Sequence, residues 1–101
     1  MKFGEILELM KDGKPARRKE WSDNTYIVKQ INSDINKEVV PNMQSLSPEA
    51  KALIKELGNG IHYRQQVLVI YREDRKTKAT NYVPDWIDIF SEDWEIWEPK
   101  E

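Results

Sequence analysis

The 101-residue chain has no cysteine, one histidine and four glycines, and each shortage removes a class of chemistry. Without cysteine there is neither a disulfide framework nor a zinc–thiolate site. A single histidine, His62, excludes a multi-histidine metal site and a two-histidine mechanism within one protomer, and its plainest reading is a surface residue at the entry to a strand. The glycines form neither a G-x-G-x-x-G fingerprint nor a P-loop, and Gly58 and Gly60 read as a helix stop. No apolar run approaches the ~20 residues of a membrane span, and the charged opening MKFGEILELMKDGK is unlike a signal peptide, so the expected location is the cytoplasm. Sixteen Lys and Arg against eighteen Asp and Glu give a net charge of −2, without the basic excess that releases counterions from a duplex. Duplex nucleic acid is therefore not an expected partner.

What the chain does contain is charge and aromatic surface. Hydrophobic residues make up 39% and charged residues 34%, against roughly 45–50% and ~25% in an ordinary globular domain. That shortfall points towards apolar surface shared between subunits. Four Trp, four Tyr and two Phe offset part of it, since each can remove roughly 150–250 Å² from water. A disordered chain is poor in such residues. The length predicts one domain, 1–101.

Hydrophobic spacing predicts an α+β fold: a small antiparallel sheet with an N-terminal helix, a central inserted helix and a short C-terminal helix. Phe3, Ile6, Leu7 and Met10 fall on one helical face, with Gly13 and Pro15 ending the helix. Ala16–Trp21 reads as a short strand, Ser22-Asp23-Asn24 as a turn, and Thr25–Ile31 as a second strand. Asn32–Leu46 has no period and reads as a long loop. Ser47-Pro48-Glu49 is a helix start, with a serine cap, proline at the first position and an acid in the first turn. Ile61–Glu73 carries the best strand, centred on Val67-Leu68-Val69-Ile70-Tyr71 and central in the sheet because apolar residues lie on both faces. Asp74–Lys78 is a charged turn, Ala79–Val83 a return strand, Asp85–Phe90 a short helix and Glu92–Trp97 a closing strand.

Three groupings could carry chemistry. The tail gathers Asp85, Asp88, Glu92, Asp93 and Glu95, and paired carboxylates can do acid–base work or hold magnesium, although acids early in a helix or on a strand are also simply solvated. Asp88 stands apart, because an acid between Ile87 and Ile89 needs a partner or a ligand. Arg17, Arg18 and Lys19 precede Trp21, which reads either as an anion site with an aromatic wall or as a solvated strand edge. Trp86, Trp94 and Trp97 read first as core or subunit interface.

The order of several short motifs resembles a known family. Met1-Lys2-Phe3-Gly4-Glu5-Ile6-Leu7 is followed by Lys11-Asp12-Gly13-Lys14, Ala16-Arg17-Arg18 and Trp21, and the tail adds Tyr82-Val83-Pro84-Asp85-Trp86, Asp88 and Glu92-Asp93-Trp94-Glu95-Ile96. Together they resemble the second family of Thoeris anti-defence proteins, found in bacteriophages and prophages. The middle, Asn32–Gly60, departs from the family's short forms and looks like an insertion or a divergent subfamily. The resemblance implies a sponge: a non-enzymatic homotetramer that holds a cyclic ADP-ribose isomer in pockets at subunit junctions, with cyclic oligonucleotide signals at a separate site. For a phage-encoded chain the compartment is the host cytoplasm.

Carried onto matching positions, the resemblance makes Trp21 a stacking surface for a base and Asp88 an acceptor for ligand hydroxyls. Arg17 and Arg18 are candidate pyrophosphate contacts on charge grounds, and Asn24, Trp86 and Tyr82 complete the candidate ligand-binding set. No catalytic residue, metal or cofactor is expected. Two other functions remain open from the residues: an interaction protein with its tryptophans in a protein interface, and a nucleotide hydrolase using the tail carboxylates.

Overall fold

The computed structural model describes residues 1–99, which fall into two compact units: Met1–Ile31 with Gln65 onwards, and Asn32–Arg64. The first unit contains helix α1 (Phe3–Lys11) and strands β1 (Ala16–Arg18) and β2 (Tyr26–Lys29). In the second lie β3 (Ser33–Ile35), a 3-10 turn (Val40–Asn42), α2 (Pro48–Leu57) and β4 (Ile61–Tyr63). The first unit resumes with β5 (Val67–Glu73), β6 (Lys76–Asn81), α3 (Trp86–Phe90) and β7 (Trp94–Ile96). The fold is α+β with a small antiparallel sheet, as the hydrophobic spacing predicts.

In the first unit the five strands run in the order β6-β5-β2-β1-β7, every pair antiparallel. The sheet thereby joins the two ends of the chain: β1 lies against β7, with Arg17 opposite Glu95 and Arg18 opposite Trp94. Helix α1 turns Ile6 and Met10 inward, where they meet Ala16, Ile27 and Trp94 in the buried core. Phe3 packs its ring on Trp94 at 5.2 Å. Gly13 adopts φ +93°, a conformation cheap only for glycine, and its N–H donates to the Met10 carbonyl at 2.9 Å to close the helix. β5 is an interior strand between β2 and β6, as its apolar faces suggest.

The second unit is a two-stranded ladder, β3 with β4, together with α2 and the 3-10 turn. Ser47 caps α2 by accepting a hydrogen bond from the Ala50 N–H at 3.1 Å, with Pro48 at the first helical position, as expected from the Ser-Pro-Glu motif. His62 lies exposed on β4 and its Nδ1 sits 2.8 Å from Asp34 Oδ1 across the ladder.

Four sequence expectations change. Asn32–Leu46 is not a plain loop, because Ser33–Ile35 pairs with Ile61–Tyr63 over a long sequence separation that no local pattern encodes. Ile61–Glu73 is two strands in two sheets, interrupted where Gln65 takes φ 55°. The charged turn shrinks to Asp74-Arg75, both with positive φ, because Glu73 and Lys76 already pair. β1 ends at Arg18 rather than Trp21, since the Trp21 N–H turns back to the Arg18 carbonyl at 3.0 Å.

Candidate functional site

Arg17 and Arg18 are consecutive on a strand, so their side chains leave opposite faces of the sheet. Both are nonetheless buried, at 7% exposure each, and the solvated-edge reading does not hold. Burying a guanidinium is tolerable only when its donors are matched. Arg18 meets that requirement with three carboxylates. Its Nε donates to Asp93 Oδ1 at 2.9 Å, Nη1 to Asp88 Oδ1 at 3.2 Å, and Nη2 to Glu20 Oε2 at 2.9 Å. The Asp93 hydrogen bond raises the Arg18 pKa further above its usual value, and the same bond holds the Asp93 carboxyl below the ordinary aspartate range.

Asp88 is the junction of this cluster. Asp85 caps α3 by accepting from the Asp88 N–H at 2.8 Å, and the Asp88 carbonyl accepts from the Trp94 indole N–H at 2.9 Å. Its carboxylate takes Arg18 on one oxygen and the Tyr82 hydroxyl on the other, at 2.8 Å. The side chain is 14% exposed. The partner that an acid between two isoleucines needs is thus present twice over. A carboxylate has about four acceptor positions, so two stay open after these bonds. Tyr82 stays a neutral donor, because burial and then the adjacent Asp88 carboxylate push its pKa up.

Trp21 forms the wall next to this group. Its ring stands edge-on to Tyr82 at 5.9 Å and to Trp94 at 5.1 Å, and it is half-buried. Arg17 works on the same loop from the other face. Its Nη2 donates to the Trp21 carbonyl and its Nε to the Arg18 carbonyl at 3.3 Å, while the guanidinium lies 5.3 Å over the Tyr26 ring and 3.7 Å from Glu95.

Four of the seven candidate residues therefore come together: Trp21, Tyr82, Asp88 and Arg18, with Arg17 bracing the loop behind them. The arginines are spent on protein groups rather than presented to a ligand phosphate, and three carboxylates around one guanidinium leave the cluster net negative. Asn24 is exposed on the turn before β2, with no hydrogen bond or ring contact to the cluster among the described residues. Trp86 is 72% exposed and stacks on Phe90 at 5.6 Å instead of entering the core, so of the three tail tryptophans only Trp94 is buried. Sequence reasoning named Asp93 only as one of several tail acids and missed Glu20. The role of Asp93 depends on the β1–β7 register, which brings residues 75 positions apart into contact, whereas Glu20 reaches Arg18 from only two residues along the chain.

Among the described residues no group of His, Asp and Glu is arranged to hold a metal ion, and no helix is long and apolar enough to cross a membrane.

Fold and site together define a small α+β domain whose two chain ends meet in an arginine–carboxylate–tyrosine cluster walled by tryptophan. The chain belongs to the Thoeris anti-defense 2-like family, whose family model matches residues 1–97. That membership supports a role in countering Thoeris defence. A comparison with curated proteins gave no match.

Proposed function

We propose that the protein binds a cyclic ADP-ribose-type immune signal and holds it without cleaving it, so that the Thoeris effector is not activated. The observation that carries this reading is the meeting of Trp21, Tyr82 and Asp88 in a chain that matches the family over residues 1–97. Trp21 supplies a face for the adenine, a contact worth ~1–3 kcal/mol per stacked base. Asp88 accepts from ribose hydroxyls through its two open acceptor positions. Arg18 and Tyr82 hold that carboxylate in place by hydrogen bonds to its two oxygens, and Arg17 holds the Trp21 loop. A binder of this kind needs affinity in the ground state rather than extra stabilisation of a transition state.

The pocket is proposed to be completed in a homo-oligomer, a tetramer by resemblance to the family. Exposed Trp86, Ile87 and Phe90 on α3 support this, because a large aromatic pair left in water marks a surface that a partner covers. Asn24 and Trp86, outside the cluster of one protomer, would then reach the ligand across the junction. The same patch favours a second reading, an interaction protein with no small ligand.

Isothermal titration with a cyclic ADP-ribose isomer separates the two. The sponge predicts saturable heat, weakened about tenfold to a hundredfold in Trp21→Ala while the native mass stays that of the wild type. Absence of heat in the wild type, or a Trp21→Ala protein that dissociates, would favour the interaction protein.

A further inference from the structure

The second unit, Asn32–Arg64, contains a cavity of about 520 Å³ that the proposed signal pocket does not use. Every lining residue lies within that unit. The size is that of a small-molecule site, which commonly spans ~300–1,000 Å³. Val40, Pro41, Pro48, Ala52 and Ile54 supply an apolar wall. Charge is sorted around it in one sense. Lys37, Lys51 and Lys55 are the unit's only lysines and all three line the cavity, whereas Asp34, Glu38, Glu49 and Glu56, its only acids, do not.

Part of this frame is fixed in place. Lys51 Nζ donates to the Pro41 carbonyl at 2.9 Å, tying α2 to the 3-10 turn beside the opening. Gly58, Asn59 and Gly60 all have positive φ, and a Cβ at Gly60 would lie 2.1 Å from the Ile35 carbonyl oxygen, so this wall packs directly on the end of β3. Lys37 and Lys55 have no hydrogen bond or ion pair among the described residues, which leaves two ammonium groups available beside an apolar wall.

From this sorting we infer a second ligand site, for a small organic anion: an apolar or flat body against Val40, Pro41 and Ile54, with a phosphate, sulfonate or carboxylate held by Lys37 and Lys55. An apolar wall alone would take neutral compounds, and lysines alone would take inorganic anions. Their combination selects molecules that are both.

The test is amide-resolved NMR titration of the full chain with 8-anilino-1-naphthalenesulfonate, an aromatic anion, beside its neutral analogue N-phenyl-1-naphthylamine and beside inorganic phosphate. The inference predicts saturable shifts at Gly58, Asn59, Gly60, Val40 and Ala52, with the neutral analogue and phosphate each at least about tenfold weaker. Lys37→Gln with Lys55→Gln weakens the anion about fivefold or more and leaves thermal melting unchanged, since neither side chain holds the fold. Shifts confined to the exposed α3 aromatics, no shifts at all, or equal binding of the neutral analogue overturns the inference. Readout at named amides of the second unit makes the result independent of whether Trp21 binds a nucleotide.

Discussion

Replacing Arg18 with glutamine removes the cation on which Asp88, Asp93 and Glu20 converge. Breaking a buried ion pair by deleting one partner costs about 3–5 kcal/mol, because the charge left behind is uncompensated. The lower end applies here. Glu20 is 74% exposed and simply returns to water, and Asp93 is partly open, so Asp88 is the group left most stranded. A loss of about 3 kcal/mol is a large share of the ~5–15 kcal/mol that stabilises a typical domain. At ~4–8 °C per kcal/mol for a domain near this size, melting should fall by about 12–24 °C. Circular dichroism melts and urea titrations at pH 7 measure this. The acid limb gives a second check. Because Arg18 depresses the folded Asp93 pKa below its ordinary 3.8, the stabilisation is full above that value and is lost as pH falls through the folded pKa. Wild type should therefore lose stability more steeply than Arg18→Gln below about pH 4.5. A melting change equivalent to less than about 1 kcal/mol, with unchanged acid dependence, would refute the claim that this cluster joins the two chain ends.

Three further outcomes follow from the same geometry. Tyr82→Phe removes the hydroxyl that donates to Asp88 at 2.8 Å and should cost about 1.5–3 kcal/mol in urea titration, with weaker ligand binding; a neutral result would mean that the bond does not persist in solution. Gly60→Ala forces a methyl against the Ile35 carbonyl at positive φ and should cost about 2 kcal/mol or more, read as faster hydrogen exchange of the β3 and β4 amides; unchanged exchange would contradict the close packing. Trp86→Ser with Phe90→Ser should lower the native mass towards one protomer, and a retained oligomer would place the interface elsewhere.

Local chemistry was the part of the fold that could be read from sequence. Ser47-Pro48-Glu49 and Gly13 mark helix ends because caps depend on a few adjacent residues, and Ile6 with Met10 announces a buried face through spacing alone. What depends on distant partners was not legible. Ser33 and Asp34 have little intrinsic strand preference and pair only because Tyr63 and His62 lie opposite. Gln65, where the long apolar stretch breaks, is not a residue type that signals positive φ. Arg17 and Arg18 look solvated in sequence and are buried, since their partners lie on β7, on the loop before it and on the loop after β1. Asp88 was legible as an acid in need of company, though not which company. Trp86 reads from its residue type as core or subunit interface, and its exposure rules out the core.

The most direct test of sequestration is the chemical fate of the bound signal. A cyclic ADP-ribose isomer is incubated with a molar excess of protein, the protein is denatured, and the released nucleotide is resolved by chromatography with mass detection. The account predicts full recovery of the intact cyclic ligand at every time point, and the same sample should fail to activate a Thoeris effector until the protein is denatured. Recovery of a linear or hydrolysed product, reduced by Asp88→Asn, would contradict it and establish a carboxylate-dependent hydrolase.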